Sequence, residues 1–460
     1  MLASGNSRDF ETTWRLNMRD RKILESGRDK NASAPVPTKQ PGSLTSLRQS
    51  DSQVSWLGLP RFAWSLTLLG LCIFTFAIVT FYVPVARAGI AIALVGVFLQ
   101  PEKIRVPLPI WIYAAFVLWA FLASFASSYS DIALDRSLEA LKQLAILLVI
   151  VNALRTEGQL RFYLLFLLGC FILFPIRGTL VGGDTVFGRA VWNYIYSNPN
   201  DLAALSLIAL GVALALMFSA PSRNMVRLGA GVSTILLLVV ILLTQSRGAF
   251  LGLVAGMGPA VILLAVRHRG RLLIYGGIIA IVLAVAVPSS AWQRLSSIEM
   301  LTSVSTIAEA DPEGSAEQRF EIQKVGWQIF VDHPVFGIGF GAYGLENASY
   351  SPKLGKKSAH NTYLSLAAEV GLPGLALWCA LVWSVLRYSY RSRKLAAPGQ
   401  LATQQAWIER SLWGFFVASI FGSFEPLTFP YLMLAVLWCS ATLLAPRSQH
   451  IVGTANTTKA

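Results

Sequence analysis

The sequence predicts an all-α, polytopic membrane protein with about twelve transmembrane helices and one long loop on the outer side of the membrane. Three observations predict this fold: an apolar composition, a series of apolar segments of membrane-spanning length, and an uneven distribution of arginines between the loops. Of the 460 residues, 54% are hydrophobic and 13% are charged, whereas soluble domains carry about 25% charged residues. A chain of this composition needs the bilayer as part of its solvent.

The apolar segments predict the individual spans, because about 20 helical residues cross the hydrocarbon core of a bilayer. These segments are 62–82, 86–100, 107–126, 134–153, 160–177, 199–219, 225–244, 248–266, 272–289, 361–386, 406–424 and 428–445. They divide the chain into nine spans in residues 61–289, a polar loop at 290–360 and three spans in residues 361–446. The polar segments 1–60 and 447–460 are predicted to be disordered tails, and the first lacks the apolar run of a cleaved signal peptide.

The placement of arginine and lysine predicts the orientation in the membrane. With a cytoplasmic N-terminus, the more basic loops fall on the cytoplasmic side, as the positive-inside rule requires, and an even number of spans returns the C-terminus to the cytoplasm. These loops carry Lys103, Arg105, Arg155, Arg161, Arg223, Arg227, Arg267, Arg269, Arg271, Arg387, Arg391, Arg393 and Lys394, whereas the short outer loops carry Arg87, Arg136, Arg177, Arg189 and Arg247. We therefore attribute the net charge of +14 to topology and not to nucleic-acid binding.

The long outer loop, residues 290–360, is the predicted lid or active-site loop, because long loops in compact proteins tend to be functional. It contains an amphipathic segment, 316–331, which predicts a helix that ends at His333-Pro334. The glycine-rich segment 337–341 follows and predicts a turn. No strand and helix pair flanks these glycines, so the sequence does not predict a nucleotide-binding loop there.

Three residues near the outer face are candidates for catalysis. Arg247 lies between two apolar spans, where its guanidinium could bind a phosphate or simply contact the lipid headgroups. Arg319 lies in the first turn of the loop helix, where a cation opposes the helix dipole; it has either an anionic partner or a solvated position. His360 precedes Asn361 where the loop re-enters the membrane, and it is either a general base or a hydrogen-bonded interfacial histidine.

Further basic and polar residues are predicted to bind substrate at the same mouth. Arg177 and Arg189 flank a glycine-rich segment, and Lys356 and Lys357 precede His360-Asn361. Together they predict a basic surface suited to a polyphosphorylated lipid. No metal-ligand cluster and no Asp-x-Asp motif is present, so no metal and no cofactor is predicted. The four cysteines fall in apolar runs and are predicted to be buried small hydrophobes.

Several of these segments resemble, in order and in spacing, the O-antigen ligase and polymerase superfamily. The resemblance covers about Asn198 to Gly374, with the long loop in the family's usual place, whereas the first five spans agree with it only in pattern. The motifs that carry it are Ser197-Asn198-Pro199-Asn200-Asp201-Leu202-Ala203, Gln245-Ser246-Arg247-Gly248-Ala249, Asp332-His333-Pro334-Val335-Phe336-Gly337-Ile338-Gly339, Ala359-His360-Asn361-Thr362-Tyr363-Leu364 and Glu369-Val370-Gly371-Leu372-Pro373-Gly374.

The resemblance implies a glycosyltransferase of the bacterial inner membrane, with about twelve spans, a large periplasmic loop and no need for a metal or a nucleotide. Members of the family take a glycan from an undecaprenyl diphosphate donor and pass it to lipid A–core, to another lipid-linked repeat unit or, in some relatives, to a protein. The family's functional arginines and histidine correspond to Arg247, Arg319 and His360 of this sequence. Its implied partners are the lipid-linked donor, a glycan or lipid acceptor and membrane lipids.

Several alternatives stay open at this stage. The sequence does not distinguish a ligase from a polymerase of O-antigen or exopolysaccharide. A multispan transporter or flippase of lipid-linked glycans would also have many spans and intramembrane arginines, but it would usually show internal repeats. A non-catalytic membrane partner is the third reading. The clustering of histidine and arginine at one face favours an enzyme over a transporter and over a non-catalytic partner.

Overall fold

A computed structural model describes residues 63–219, 225–267 and 315–445, together with scattered residues between 277 and 292. The predictions for the tails 1–60 and 447–460, for the ninth span at 272–289 and for the first part of the long loop lie outside the described residues. Within those ranges all the regular secondary structure is helical, apart from one short hairpin. The predicted all-α class is therefore confirmed, whereas the total of about twelve spans stays a prediction.

Within each described range, most consecutive helices are joined by short connections. The first range contains α1 (Leu66–Thr80), α2 (Val83–Leu99), α3 (Leu108–Ser124), α4 (Ser130–Ala153), α5 (Glu157–Phe171), a π-helical turn (Ile172–Ile176), α6 (Arg177–Gly182), the antiparallel strands β1 (Thr185–Val186) and β2 (Arg189–Ala190), and α7 (Pro199–Ser219). The remaining ranges contain α8 (Met225–Leu243), α9 (Arg247–Arg267), α10 (Ser315–Asp332), α11 (Tyr343–Tyr350), α12 (Thr362–Leu395), α13 (Gln400–Ala418) and α14 (Thr428–Leu444).

Several of these helices have the length and composition of membrane spans. Four stretches are long and apolar enough to cross a bilayer: Glu157–Gly182, Pro199–Ser219, Met225–Leu243 and Thr362–Leu395. Shorter apolar helices, such as α1, α2, α3 and α14, accompany them. Large apolar side chains on their surfaces are exposed, including Phe98 at 71% and Trp111 at 64%. Faces of this kind require lipid around them, since soluble monomers rarely expose wide apolar patches.

Small residues bring two pairs of helices into close contact, as is common in membranes. Gly252 and Gly256 of α9 face Gly414 of α13, and a Cβ on Gly252 would overlap the Gly414 carbonyl oxygen. Gly70 of α1 and Gly89 of α2 approach each other in the same way. The α9–α13 contact matters for the site, because it fixes where the first residue of α9, Arg247, lies.

A polar network ties together the connections at the end of the bundle that was predicted to be cytoplasmic. The side chain of Asn152 accepts hydrogen bonds from the Arg105 amide (2.8 Å) and the Arg155 guanidinium (2.8 Å) and donates to the Arg105 carbonyl oxygen (3.0 Å). Arg155 also donates to the Lys103 carbonyl oxygen (3.0 Å). Predicted inner-loop arginines thus lie together at the ends of α2 and α4.

The structure corrects some details of the sequence prediction. Arg87 and Arg136, which were assigned to outer loops, belong to α2 and α4, since they lie within the apolar runs 86–100 and 134–153 that form these helices. The span predicted at 406–424 is helical only to Ala418, because the apolar run continues past the helix end. Three of the four cysteines are buried as predicted, but Cys379 is exposed on the surface of α12.

Candidate active site

The described part of the long loop forms a cap, residues 315–361, over one end of the bundle. The predicted amphipathic helix is confirmed as α10, which ends at Asp332, directly before His333-Pro334. Ile322 and Ile329 of α10 and Tyr343 of α11 form a small apolar core within the cap. The hydroxyl of Tyr343 donates to the Ile322 carbonyl oxygen at 2.8 Å. The cap therefore has internal structure of its own.

The cap docks on α12 through the predicted glycine turn. α12 is broken at Gly371 (φ 68°), and this break frees the carbonyl oxygens of Ala368 and Glu369. The amides of Ile338 and Gly339 donate to those two oxygens, each at 2.9 Å. Gly337 (φ 67°) must be glycine, because a Cβ there would overlap the Glu369 backbone. Two of the sequence motifs thus interlock backbone to backbone.

His360 lies directly before the cap returns to the membrane helices. Its φ of 50° is left-handed, a conformation that non-glycine residues rarely adopt and that is enriched at functional sites. Asn361 then caps α12, and its side-chain oxygen accepts from the amides of Tyr363 (3.0 Å) and Leu364 (3.1 Å). The Asn361 oxygen therefore has a structural task besides its predicted contact with substrate.

Burial lowers the pKa of His360 to about 4, and the nearby charges of Arg319 and Lys357 contribute to this shift. The imidazole is consequently neutral at neutral pH in the absence of ligand. The interaction also shows that Arg319, on α10, lies close to His360. Two of the three predicted catalytic residues are therefore electrostatic neighbours.

Arg247 is the first residue of α9 and lies two residues after Gln245, whose backbone is left-handed like that of His360, with φ 52°. The short hairpin covers this point: Arg189 donates to the Thr244 carbonyl oxygen at 2.8 Å. Arg189 and the Ser246 hydroxyl both donate to the side-chain oxygen of Asn200, at 2.8 and 3.0 Å. The predicted substrate residue Arg189 is thus part of the structure that holds the start of α9.

The connection between α13 and α14 contacts both the segment that carries His360 and the segment that carries Arg247. Thr362 donates its amide to the Ser419 carbonyl oxygen (2.9 Å) and its hydroxyl to the Gly422 carbonyl oxygen (2.8 Å). On the same connection, the side chain of Phe421 lies where a Cβ on Gly248 would be. Thr362, two residues after His360, and Gly248, next to Arg247, therefore contact one short segment, which brings the two motifs together.

These elements surround a cavity of about 950 Å³. One part of its wall is apolar and comes largely from the facing ends of α1 and α2, with the side chains of Phe74, Ile78, Phe81, Ile90 and Leu94. The other part is polar and charged, with the side chains of Arg136, Asn198, Asn200, Asp201, Lys356, Lys357, His360, Glu369 and Glu425. A cavity of this size with two kinds of wall suits an amphipathic ligand.

Residues 232–379 match the family model described as O-antigen ligase. This match supports an O-antigen ligase domain in that segment of the chain. The matched segment begins within α8 and ends within α12, so it contains Arg247, Arg319, His360 and the docked glycine turn. Together with the apolar helices, the match indicates a membrane protein that contains a segment similar to O-antigen ligases. No curated protein sequence matches the chain.

The structure brings some of the predicted site residues to the cavity and leaves others away from it. His360, Lys356 and Lys357 line the cavity, and Arg189 reaches its wall through Asn200. Arg177, the first residue of α6, is exposed and is not among the cavity-lining residues of the described ranges. In the described part of the chain, no group of three or more His, Cys, Asp or Glu residues is arranged to hold a metal ion.

Sequence reasoning missed the other charged residues of the cavity wall. Arg136 was assigned to topology, although its electrostatic interaction with Glu369 and Glu425 places it at the site. Glu425 was hidden at the edge of an overlong predicted span, and Glu369 was noted only as part of a motif. The signal that could have found them is the rarity of acidic residues next to membrane spans, where an ionisable group is expensive unless it has a function.

Proposed function

We propose that the chain transfers a glycan from an undecaprenyl-diphosphate-linked donor to a glycan or lipid acceptor at the periplasmic face of the bacterial inner membrane. The observation that carries this proposal is the cavity with one apolar and one charged wall, into which His360 opens beside Arg319. The Asn152 network marks the end of the bundle that was predicted to be cytoplasmic, and the cavity lies at the opposite end. In this proposal both termini are therefore cytoplasmic, and the cap lies in the periplasm.

The two walls correspond to the two parts of a lipid-linked donor. The apolar side chains of α1 and α2 suit the first isoprene units of the lipid, which continue into the bilayer. The cations Lys356 and Lys357 and the neighbouring Arg319 suit a diphosphate, and they raise the local concentration of anionic ligands. Guanidinium groups bind phosphate oxygens through paired hydrogen bonds, which fix the orientation of the phosphate in addition to balancing its charge.

The reaction needs stabilisation of a leaving diphosphate whose negative charge grows in the transition state. In the proposed mechanism Arg247 and Arg319 supply this stabilisation from fixed positions at the starts of α9 and α10. A bound diphosphate would offset the cations around His360 and favour its protonation, so that His360 donates a hydrogen bond to a phosphate oxygen. Direct attack of the acceptor at the anomeric carbon inverts its configuration.

The cap supports an enzyme rather than a transporter. Transporters use the broken ends of a discontinuous helix to coordinate substrate or ions. In this chain the amides of Ile338 and Gly339, in the cap, satisfy the freed carbonyl oxygens at the α12 break. Trp119 of α3 strengthens this docking, because it stacks on Phe336 with ring centroids 5.3 Å apart and donates to the Val370 carbonyl oxygen at 2.8 Å. A cap held in this way excludes water, which would compete as acceptor.

The proposal is tested in a bacterial host that lacks its own O-antigen polymerase or ligase. The native chain and a His360→Ala variant are expressed, and lipopolysaccharide and exopolysaccharide are resolved by gel electrophoresis. We expect new polymer from the native chain and none from His360→Ala. A ladder attached to lipid A–core identifies a ligase, and long lipid-linked chains identify a polymerase.

The matched control is His333→Ala. His333 lies in the cap, directly after α10, and it is not among the cavity-lining residues of the described ranges. Equal polymer from the native chain and both variants would contradict a role for His360. Absence of polymer from a correctly inserted native chain, in hosts with several different glycans, would contradict the proposed function and favour transport.

A further inference from the structure

The charged wall of the cavity has three carboxylates on one side, with the single guanidinium of Arg136 beside them. The cations Lys356 and Lys357 lie with His360 on the cap side. Asp201 and Glu369 lie with Glu425 on the side formed by the ends of α7, α12 and α14. A diphosphate is repelled by the acidic side, whereas sugar hydroxyls donate hydrogen bonds to carboxylates readily. The acidic side is therefore the place for the hydroxyl-bearing substrate and not for the phosphates.

Glu425 occupies a special position within this acidic side. It lies on the connection between α13 and α14, and one carboxylate oxygen, Oε1, accepts a hydrogen bond from the Ser365 hydroxyl at 3.0 Å. The other oxygen, Oε2, is buried and has no hydrogen-bond partner among the described residues. An unsatisfied buried oxygen is costly, and because Glu425 lines the cavity, a small movement of its side chain would let a ligand supply the missing donor.

The surroundings of Glu425 hold it in place. The Tyr431 hydroxyl donates to its backbone carbonyl oxygen at 3.1 Å. Arg136 interacts electrostatically with the carboxylates of Glu425 and Glu369, and Asp201 interacts with that of Glu425. Glu369 itself accepts the Tyr343 amide at 3.2 Å, so it is already occupied in docking the cap. Of the two glutamates, Glu425 retains the unsatisfied oxygen.

We propose that Glu425 is the general base that accepts the proton of the attacking acceptor hydroxyl. This inference rests on the proposed glycan transfer. The hydroxyl oxygen forms a bond to the anomeric carbon, and its proton passes to Oε2 of Glu425. The bond between the anomeric carbon and the phosphate oxygen breaks, and its electron pair leaves with the lipid diphosphate. The Glu425 proton is later released to water, so no further reactant is needed.

The electrostatics favour Glu425 over His360 for this task. A general base works best when its pKa lies near the working pH. Burial raises the pKa of the Glu425 carboxyl well above its ordinary value, toward neutrality. The pKa of His360 moves the other way, and when a diphosphate binds, the protonated imidazole is a donor to phosphate and no longer a base. The two residues thus divide the work between acceptor and leaving group.

The test uses the full chain in lipid nanodiscs with a synthetic undecaprenyl-diphosphate oligosaccharide and a hydroxyl acceptor that the native chain uses. We measure kcat, the KM for donor and the pH dependence of kcat. For Glu425→Gln we expect kcat to fall by about 10²- to 10⁴-fold with the donor KM within a few-fold of native. The native decline of kcat toward acidic pH should disappear in this variant. The matched control is Glu321→Gln, an exposed glutamate of α10 paired with Lys324, which should leave all three unchanged.

The outcomes separate this inference from the proposed function. No transfer by the native chain overturns the proposed function. Native transfer with an active Glu425→Gln variant, or with equal losses in kcat and donor binding by folded protein, overturns only the role of Glu425. If Glu425→Gln does not fold, Glu425→Asp carries the test, because it keeps a carboxylate at a changed distance. Its acidic decline should shift in midpoint, and an unshifted decline overturns the inference.

Discussion

Arg189 donates a 2.8 Å hydrogen bond to the side-chain oxygen of Asn200, and it thereby ties the short hairpin to the start of α7. The same oxygen accepts the hydroxyl of Ser246, which directly precedes Arg247. One amide oxygen thus connects three segments that are far apart in the sequence. Because the shared acceptor is at the cavity wall, it links the backbone that carries Arg247 to the space where substrate is proposed to bind.

Asn200→Ala should weaken this junction. It removes the acceptor that Arg189 and Ser246 share, and the loss of a partly buried acceptor costs about 1–3 kcal/mol. We expect a lower midpoint of thermal unfolding in detergent and reduced glycan transfer. Asn200→Asp keeps an acceptor oxygen and should retain more of the unfolding midpoint. Equal midpoints for native protein and Asn200→Ala would show that the junction contributes nothing.

Arg247→Ala and Arg319→Ala should each abolish most glycan transfer without preventing insertion. Loss of one preorganised group that stabilises charge in a transition state costs about 10²- to 10³-fold in rate. Lysine at either position should restore only part of the rate, because a point charge cannot reproduce the paired hydrogen bonds of a guanidinium. Transfer is measured with purified protein and synthetic donor.

The matched control for the arginine variants is Arg391→Ala. Arg391 is exposed in the last turns of α12, at the end of the bundle far from the cavity. Its removal should leave transfer unchanged. Full activity of stable Arg247→Ala and Arg319→Ala proteins would show that neither guanidinium acts on the leaving group.

The helices could be predicted well from the sequence, because apolar runs of membrane length and an amphipathic period report directly on local structure. Every predicted span within the described ranges overlaps a helix, and α10 lies within one residue of its prediction at each end. The positions of the helix ends could be predicted less well from the sequence. The apolar run near Phe424 continues beyond α13, since a buried connection is as apolar as a span.

The site could be predicted only in part. His360 and Arg247 belong to short local motifs, so their neighbours in sequence carried the signal. The partnership of Arg136 with Glu425 depends on the packing of α4 against the connection before α14, and nothing local to either residue indicates it. The double task of Asn200 was equally hidden, because it requires the hairpin and the start of α9 to meet.

Acidification should destabilise the ligand-free protein partly through His360. The folded pKa is about 4, against an ordinary value of 6.5, because burial, Arg319 and Lys357 disfavour the charged form. Between these two values the unfolded chain binds more protons than the folded chain. The contribution of His360 to stability is therefore complete above pH 6.5 and is lost as the pH falls toward 4.

The measurement for His360 is the midpoint of thermal unfolding across this pH range, for native protein and for His360→Gln. Glutamine does not titrate, so the midpoint of this variant should fall less steeply on acidification than that of native protein. Parallel curves for the two proteins would mean that the histidine titrates in the same way folded and unfolded, contrary to its position among cations.

Gly371→Ala should undo the docking of the cap. The position has φ 68°, and a Cβ would overlap the carbonyl oxygen of Val335 in the cap. Gly183→Ala is the matched control, since Gly183 has the same φ of 68° but no atom within 4 Å of an added Cβ. The control should show only the backbone strain of about 1 kcal/mol. Gly371→Ala should show a larger loss in unfolding midpoint together with loss of transfer, and equal effects would exclude the overlap as the cause.

Gly252→Leu should reduce transfer without touching the cavity wall. Gly252 contacts the backbone of Gly414, so a leucine must push α9 away from α13 and move Arg247 relative to the segment that holds His360. A displacement of about 1 Å in a catalytic group can cost about 10²-fold in rate. Gly258→Leu is the control on the same helix, because only Val254 lies within 4 Å of its Cβ, at 3.9 Å. If both leucine variants transfer glycan at the native rate, the close contact between α9 and α13 does not set the position of Arg247.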